Sequence, residues 1–118
     1  MKALFDTHIL IDYLRGREEA KREIANYETP MVSAISVAEL MAAAKDGEAP
    51  IIEAFLGQFE VVACDVQVAQ LAAGLKQAHR LDMESALIWA CAKSQSALFI
   101  TRNSQSYPPH EAGLRQPY

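Results

Sequence analysis

Asp6, Glu39, Glu84, Ser85, Thr101 and Asn103 stand at the ends of apolar segments, where polar chemistry has consequences. Asp6 follows directly on Ala3, Leu4 and Phe5. Glu39 lies in SVAELMAAAK (36–45), Glu84 and Ser85 precede ALIWACA (86–92), and Thr101 and Asn103 follow ALFI (97–100). Ionised carboxylates are seldom buried unless a cation, hydrogen bonds or a helix N terminus compensates them. Gathered at one place, these acids, hydroxyls and an amide would form a polar centre with excess negative charge. Taken apart, each has an ordinary structural use. Asp6 suits the cap of a helix beginning at Thr7, and Ser36-x-x-Glu39 matches a capping box. Asp82 and Glu84 are favoured at a helix start by the macrodipole, and Thr101 and Asn103 suit a turn after a strand.

The elements that would bring them together are legible in the hydrophobic spacing. Residues 2–6 read as a strand, and Ile9, Leu10 and Tyr13 begin a helical pattern. Ala20, Ile24 and Tyr27 mark one face of a helix over 18–27, which Pro30 ends before a short strand, MVS (31–33). A helix over 36–45, stopped by Gly47, precedes a second one whose face carries Ile51, Ile52, Phe55, Leu56 and Phe59. EVVAC (60–64) reads as a strand, 66–79 and 83–94 as helices, ALFI as the last strand, and 108–118 as an extended tail. Short strands separated by helices favour βαβ units. The fold class expected is therefore α/β, with three layers (α/β/α) and a central parallel sheet over a single domain, 1–118. In open parallel sheets, sites form beyond the carboxyl ends of the strands, where Asp6 and Thr101 would lie.

The chain has 118 residues, of which 51% are apolar by the AVILMFWYC count and 22% charged, enough for one core. Its net charge of −4 argues against binding nucleic acid through a broad basic face, although bound cations can reverse the charge locally. The longest unbroken apolar run, Ala86 to Ala92, is too short to span a bilayer. No secretory signal follows Met1-Lys2, and Cys64 and Cys91 lack any metal or redox spacing. A cytoplasmic protein with reduced thiols, away from membranes, is expected.

MKALFDTHILIDYLRG, SAISVAEL, ESALIWACA and LFITRNSQSY, in that order, resemble the PIN-domain ribonucleases, and most of all the VapC-like toxins of toxin–antitoxin pairs. The likeness spans nearly the whole chain, including GLRQP (113–117). It implies a compact α/β/α domain whose acids hold Mg²⁺ or Mn²⁺ and hydrolyse RNA phosphodiesters, working with an antitoxin protein and as a homodimer through the helices at 7–27. Asp6 matches the family's first acid and Glu39 its second. The third acid falls at Ser85, the fourth at Asn103 or Ser106, and Thr101 matches a supporting hydroxyl. His8 stands where Asn is more usual. Asp12, six residues beyond Asp6, is expected to face away. Arg15, Arg17, Lys76, Arg80 and Arg102 are candidate contacts to an RNA backbone.

The serine at 85 matters because Mg²⁺ takes hard oxygen ligands, commonly one or two carboxylates with waters and substrate phosphate. Asp6 and Glu39 supply charge for one ion; two ions about 4 Å apart would be undercompensated. Glu84 is the acid nearest to hand, so Asp6, Glu39 and Glu84 are the expected metal ligands. Adjacent helical residues point about 100° apart, however, and Glu84 reaches the ion only if the helix begins irregularly. A same-fold module that binds RNA or protein without cleavage is the alternative, resting on the missing charge at Ser85 and Asn103. A phosphoacceptor receiver domain fits less well, because no Lys follows ALFIT although Asp65 follows a middle strand. Nucleotide-binding Gly-rich loops are absent.

Overall fold

The computed structural model describes residues 1–108 and 111–118. The elements run β1 (Ala3–Phe5), α1 (Thr7–Leu14), α2 (Glu18–Ala25), β2 (Pro30–Ser33), α3 (Ala34–Ala42) and α4 (Ala49–Leu56). They continue as β3 (Glu60–Val62), α5 (Val66–His79), α6 (Met83–Ser94), β4 (Leu98–Ile100), a 3₁₀ turn (Ser104–Ser106) and β5 (Leu114–Arg115). All strand pairings are parallel and the sheet order is β3-β2-β1-β4-β5. The α/β expectation holds.

The sheet separates two apolar cores. On one face Leu4, Met31 and Phe99 pack with Val68, Ala72, Leu81, Ile88 and Trp89 of the α5–α6 side. On the other, Ala3, Phe5, Val32 and Ile100 pack with residues of α1 to α4, among them Leu10, Ile24, Leu40 and Phe55. Neighbouring residues of a strand point to opposite faces. Both faces are covered, so β1 reads as an unbroken apolar run instead of an alternating one. Trp89, Phe5 and Phe99 are fully buried, each contributing roughly 1.5–3 kcal/mol by leaving water.

The strand order reverses at β1, which is flanked by β2 on one side and β4 on the other. Phe5 is in register with Ile100. The next residues, Asp6 and Thr101, are therefore brought side by side at the carboxyl edge, and the Asp6 backbone N–H donates to Ile100 O at 2.9 Å.

Several details depart from the sequence reading. The second helix ends at Ala25, and Tyr27 instead meets Phe5 edge-on. The third helix starts at Ala34 with Ser33 as its cap, so no capping box forms between Ser36 and Glu39. Ile51, placed on a buried face, is 65% exposed. Pro109 and His110 of the tail lie outside the described residues. The remainder is not all coil: Leu114 and Arg115 extend the sheet beside Phe99 and Ile100. Gly113 precedes them at φ +90°, a conformation that costs any other residue strain. Among the described residues, no helix is long and apolar enough to cross a membrane.

Candidate functional site

Asp6 occupies the N-cap of α1, in extended backbone. Its Oδ1 accepts from the Thr7 N–H at 2.8 Å, while Oδ2 accepts from Thr101 Oγ1 at 2.8 Å. Thr101 is itself fixed, accepting from the Asn103 N–H at 3.0 Å. The cap reading and the site reading of Asp6 are thus both satisfied, because one carboxylate oxygen serves each neighbour. The side chain is buried, and that desolvation raises its pKa above the ordinary value. The bonds from Thr101 and Thr7 work in the opposite direction, as does the nearby His8, whereas the Glu39 charge adds to the rise. A buried carboxylate close enough to feel a second one is stabilised by a cation between them.

Glu39 is held by a chain of hydroxyls. A carboxylate can only accept, so Thr7 Oγ1 gives its single proton to Glu39 Oε1, at 2.6 Å. Ser36 Oγ lies 2.7 Å from Thr7 Oγ1 and must then be the donor. Ser33 Oγ in turn donates to Ser36 Oγ at 3.2 Å while accepting from the Ser36 N–H at 3.0 Å. The direction of every proton from Ser33 to Glu39 is set by the carboxylate at the end. Ser33 and Ser36 are fully buried, and polar groups so placed must be paired.

These side chains line one cleft of about 240 Å³, with Asp6, Thr7, His8 and Glu39 on one side. Asp82, Glu84, Ser85, Asn103, Ser106 and Tyr107 contribute the rest of its surface. The sequence-predicted Asp6, Glu39, Glu84, Ser85 and Asn103 all meet there, and Thr101 lies directly beneath Asp6. Among the described residues, no three His, Cys, Asp or Glu side chains come together as a ready-made metal cage. Glu84 stands at the exposed rim, and Ser85 spends its N–H and hydroxyl on Asp82, at 2.7 and 3.2 Å. The donor set nevertheless fits one hard divalent ion. Asp6 and Glu39 supply two carboxylates, and Mg²⁺ ordinarily completes its shell with water and phosphate.

Thr7, Ser33 and Tyr107 were not anticipated as site residues. The position of Thr7 beside Asp6 was a usable signal, since a helix carrying one of its residues at the cap places the next at the same edge. Nothing local announced Ser33 or Tyr107. Of the basic candidates, Arg102 pairs with Asp12 at 2.9 Å and Arg17 with Asp12 at 3.8 Å. Lys76 donates to Leu81 O at 3.0 Å. Arg15 and Arg80 are exposed. Asp12 is not among the cleft residues, as expected.

The PIN domain family model matches residues 3–107. Among solved structures, a chain from a toxin-antitoxin complex of Klebsiella pneumoniae superposes with a TM-score of 0.92 at 31% identity, covering 98% of this chain and 98% of that one. A chain of FitAcB from Neisseria gonorrhoeae gives 0.76 at 24% identity, over 98% and 97%. A chain of a DNA-bound VapBC from Salmonella typhimurium gives 0.80 at 21%, over 98% and 96%. The last two speak for the fold alone. No curated protein matches the chain. Together with the acid-lined cleft at the β1–β4 edge, the family match from Ala3 to Tyr107 and the Klebsiella likeness establish that the chain belongs to the PIN-domain family.

Proposed function

We propose that this protein is a Mg²⁺- or Mn²⁺-dependent endoribonuclease, the toxin of a toxin–antitoxin pair acting in the cytoplasm. The observation that carries this reading is the presentation of Asp6 and Glu39 into one cleft by two threonines, Thr101 and Thr7. Structural hydrogen bonds that aim two carboxylates at shared space are what a cation site needs and a helix cap does not.

Asp6 and Glu39 would hold the ion, with Glu84 approaching from the rim. When bound, the ion supplies charge neutralisation at the phosphorus oxygens and a water of lowered pKa. The chain's own residues do the positioning. Thr101 and Thr7 keep the two carboxylates oriented, while Ser85 and Asn103 offer hydrogen bonds where substrate or water would lie. Of the basic candidates, the exposed Arg15 and Arg80 are the ones left for an RNA backbone. An apolar groove of about 370 Å³ bounded by Ile11, Leu14, Leu40 and Ile52 fits a protein partner such as an antitoxin. Homodimerisation through the α1–α2 surface belongs to the same reading and is checked by sedimentation.

The decisive experiment is calorimetric titration of Mn²⁺ into the protein and into Asp6→Asn, paired with an RNA cleavage assay of both. Binding and cleavage in the wild type, both lost in the variant, are expected. Cleavage that survives the substitution overturns the assignment. The second reading, a non-cleaving module that binds RNA or a partner, is favoured by the uncharged Ser85. Mn²⁺ binding without cleavage, or neither, would select it.

A further inference from the structure

The sheet ends differently on its two sides. At one edge β5 is two residues long, with Pro117 close behind it, so little backbone is left open. At the other, nothing among the described residues pairs with the outer side of β3. Neither proline nor lysine guards that edge. The chain runs on from β3 without a turn through Ala63 and Cys64 to Asp65, itself in extended backbone. Outward-pointing N–H and C=O groups along this stretch therefore have no strand to meet them. We propose that the β3 edge is a docking site for an extended, basic segment of another protein, which adds to the five-stranded sheet as a further strand. This goes beyond the nuclease reading and does not depend on it.

Beside the edge lies a groove of about 230 Å³, bounded by β3, the start of α5 and the end of α6. Val61, Val62 and Val68 give it an apolar surface, and Val61 is 51% exposed although it sits in a strand. A strand laid along β3 places alternate side chains over this groove and the others over the opposite face of the sheet. Main-chain hydrogen bonds would supply the attachment, and the groove the selection among side chains.

Charge names the occupant. Glu60 and Asp65 stand exposed at the two ends of the extended stretch, and no lysine or arginine lines the groove. Helix α6 also ends there, with Gln95 as its C-cap, and a helix C terminus carries partial negative charge. Lys93, the basic residue of that last turn, is drawn away to Glu111 at 3.1 Å, its ammonium 4.7 Å from the Trp89 ring centroid. Two carboxylates and a helix end thus face one strip of open backbone. A second copy of the chain is the wrong occupant, because β3 against β3 sets two equally acidic edges together, and like charges opposed across strands destabilise. Nucleic acid is repelled on the same ground. A segment alternating lysine or arginine with apolar residues satisfies both the backbone and the charge.

The test uses the full chain and three fluorescein-labelled peptides. One is a short peptide of alternating lysine and valine, the second has glutamate in place of lysine, and the third is the basic peptide N-methylated at alternate residues. Fluorescence anisotropy should show the basic peptide binding about tenfold or more tightly than either control, since the second lacks the charge and the third the ladder. Glu60→Lys should weaken the basic peptide several-fold, and Val61→Lys, which places a charge on the edge, about tenfold. Hydrogen exchange at the amides of residues 61–63 should slow when the peptide binds. Both substituted positions are exposed, and Glu60→Lys stays informative if Val61→Lys lowers stability. Equal binding of the N-methylated peptide would assign the effect to charge alone, and equal binding of the acidic one would remove the charge argument. Either overturns the proposal, as does no binding of the basic peptide. A wild-type dimer in sedimentation that Val61→Lys dissociates would overturn it too, giving the edge to a second copy.

Discussion

Arg102 Nε lies 2.9 Å from Asp12 Oδ2, the same oxygen that accepts the Tyr118 hydroxyl at 2.7 Å. Arg17 completes the group, 3.8 Å from that oxygen and with its guanidinium carbon 4.0 Å over the Tyr118 ring. Helix α1 is therefore tied twice to the segment after β4: by Asp6 to Thr101, and by Asp12 to Arg102. The residue between these ties and Asn103 is Arg102 itself, so the pair holds the stretch that supports Asp6 on one side and lines the cleft on the other.

Replacing Asp12 by Ala should remove this second tie. Asp12 is buried while Arg102 is partly exposed, so solvent takes up some of the loss, and a destabilisation of about 1–2 kcal/mol is expected. Asp12→Asn, which still accepts from Tyr118, should lose less. Urea unfolding measures both, and Mn²⁺ calorimetry on the same samples should show weakened binding in Asp12→Ala. An Asp12→Ala protein as stable as the wild type would show that the tie contributes nothing.

The hydroxyl chain Ser33–Ser36–Thr7–Glu39 yields two distinguishable variants. Ser36→Ala strands the Ser33 hydroxyl but leaves Thr7 donating to Glu39, so stability should fall by about 1–2 kcal/mol with Mn²⁺ affinity little changed. Thr7→Val leaves Glu39 Oε1 without its donor and Ser36 without its acceptor, and should lower both. Thermal unfolding with and without Mn²⁺ separates the two. Equal effects on Mn²⁺ binding would mean that the chain is not directional.

Much of this site follows from sequence by way of topology. Once ALF and ALFI are read as parallel neighbours, Asp6 and Thr101 fall at one edge, and the macrodipole reading of Asp82 places α6 there too. Glu39 was harder. Its local pattern, Ser36-x-x-Glu39, describes a capping box, but the helix begins two residues earlier because Ser33 caps it, and the carboxylate is left for Thr7, 32 positions away. Long-range partners of this kind carry no local signature. β5 was missed for a related reason: two residues in a proline-containing tail have no periodicity to detect, and only the open edge of β4 makes them a strand.

Gly74 lies inside α5, and a Cβ added there would meet nothing within 4 Å. Its backbone is helical, so alanine fits without strain and restricts the unfolded chain. Gly74→Ala should stabilise the protein by about 0.5–1 kcal/mol, a rise of a few degrees in Tm. A fall in Tm would indicate that something packs against this face in solution, which analytical centrifugation of the same variant would reveal.

The last prediction concerns acid stability. Glu23 is 4% exposed, and both its oxygens accept from Arg115, at 2.7 and 2.9 Å. Those bonds, with the guanidinium charge, hold its carboxyl below its ordinary value of 4.5 despite the desolvation that opposes them. A carboxyl whose folded pKa is depressed binds fewer protons folded than unfolded. Its contribution is thus fully present above pH 4.5 and fades as the pH falls through the folded value. Arg115→Ala leaves a buried, unpaired carboxylate, though Arg115 is itself half-exposed and solvent will screen part of the loss. About 2 kcal/mol at pH 7 is expected. As the pH falls below 4.5 and through the folded value, the gap between wild type and variant should narrow, because Glu23 then takes up its proton in both. Urea unfolding over a descending pH series from 7 provides the comparison. A gap that stays constant would assign the effect to the β5 register alone and not to the ion pair.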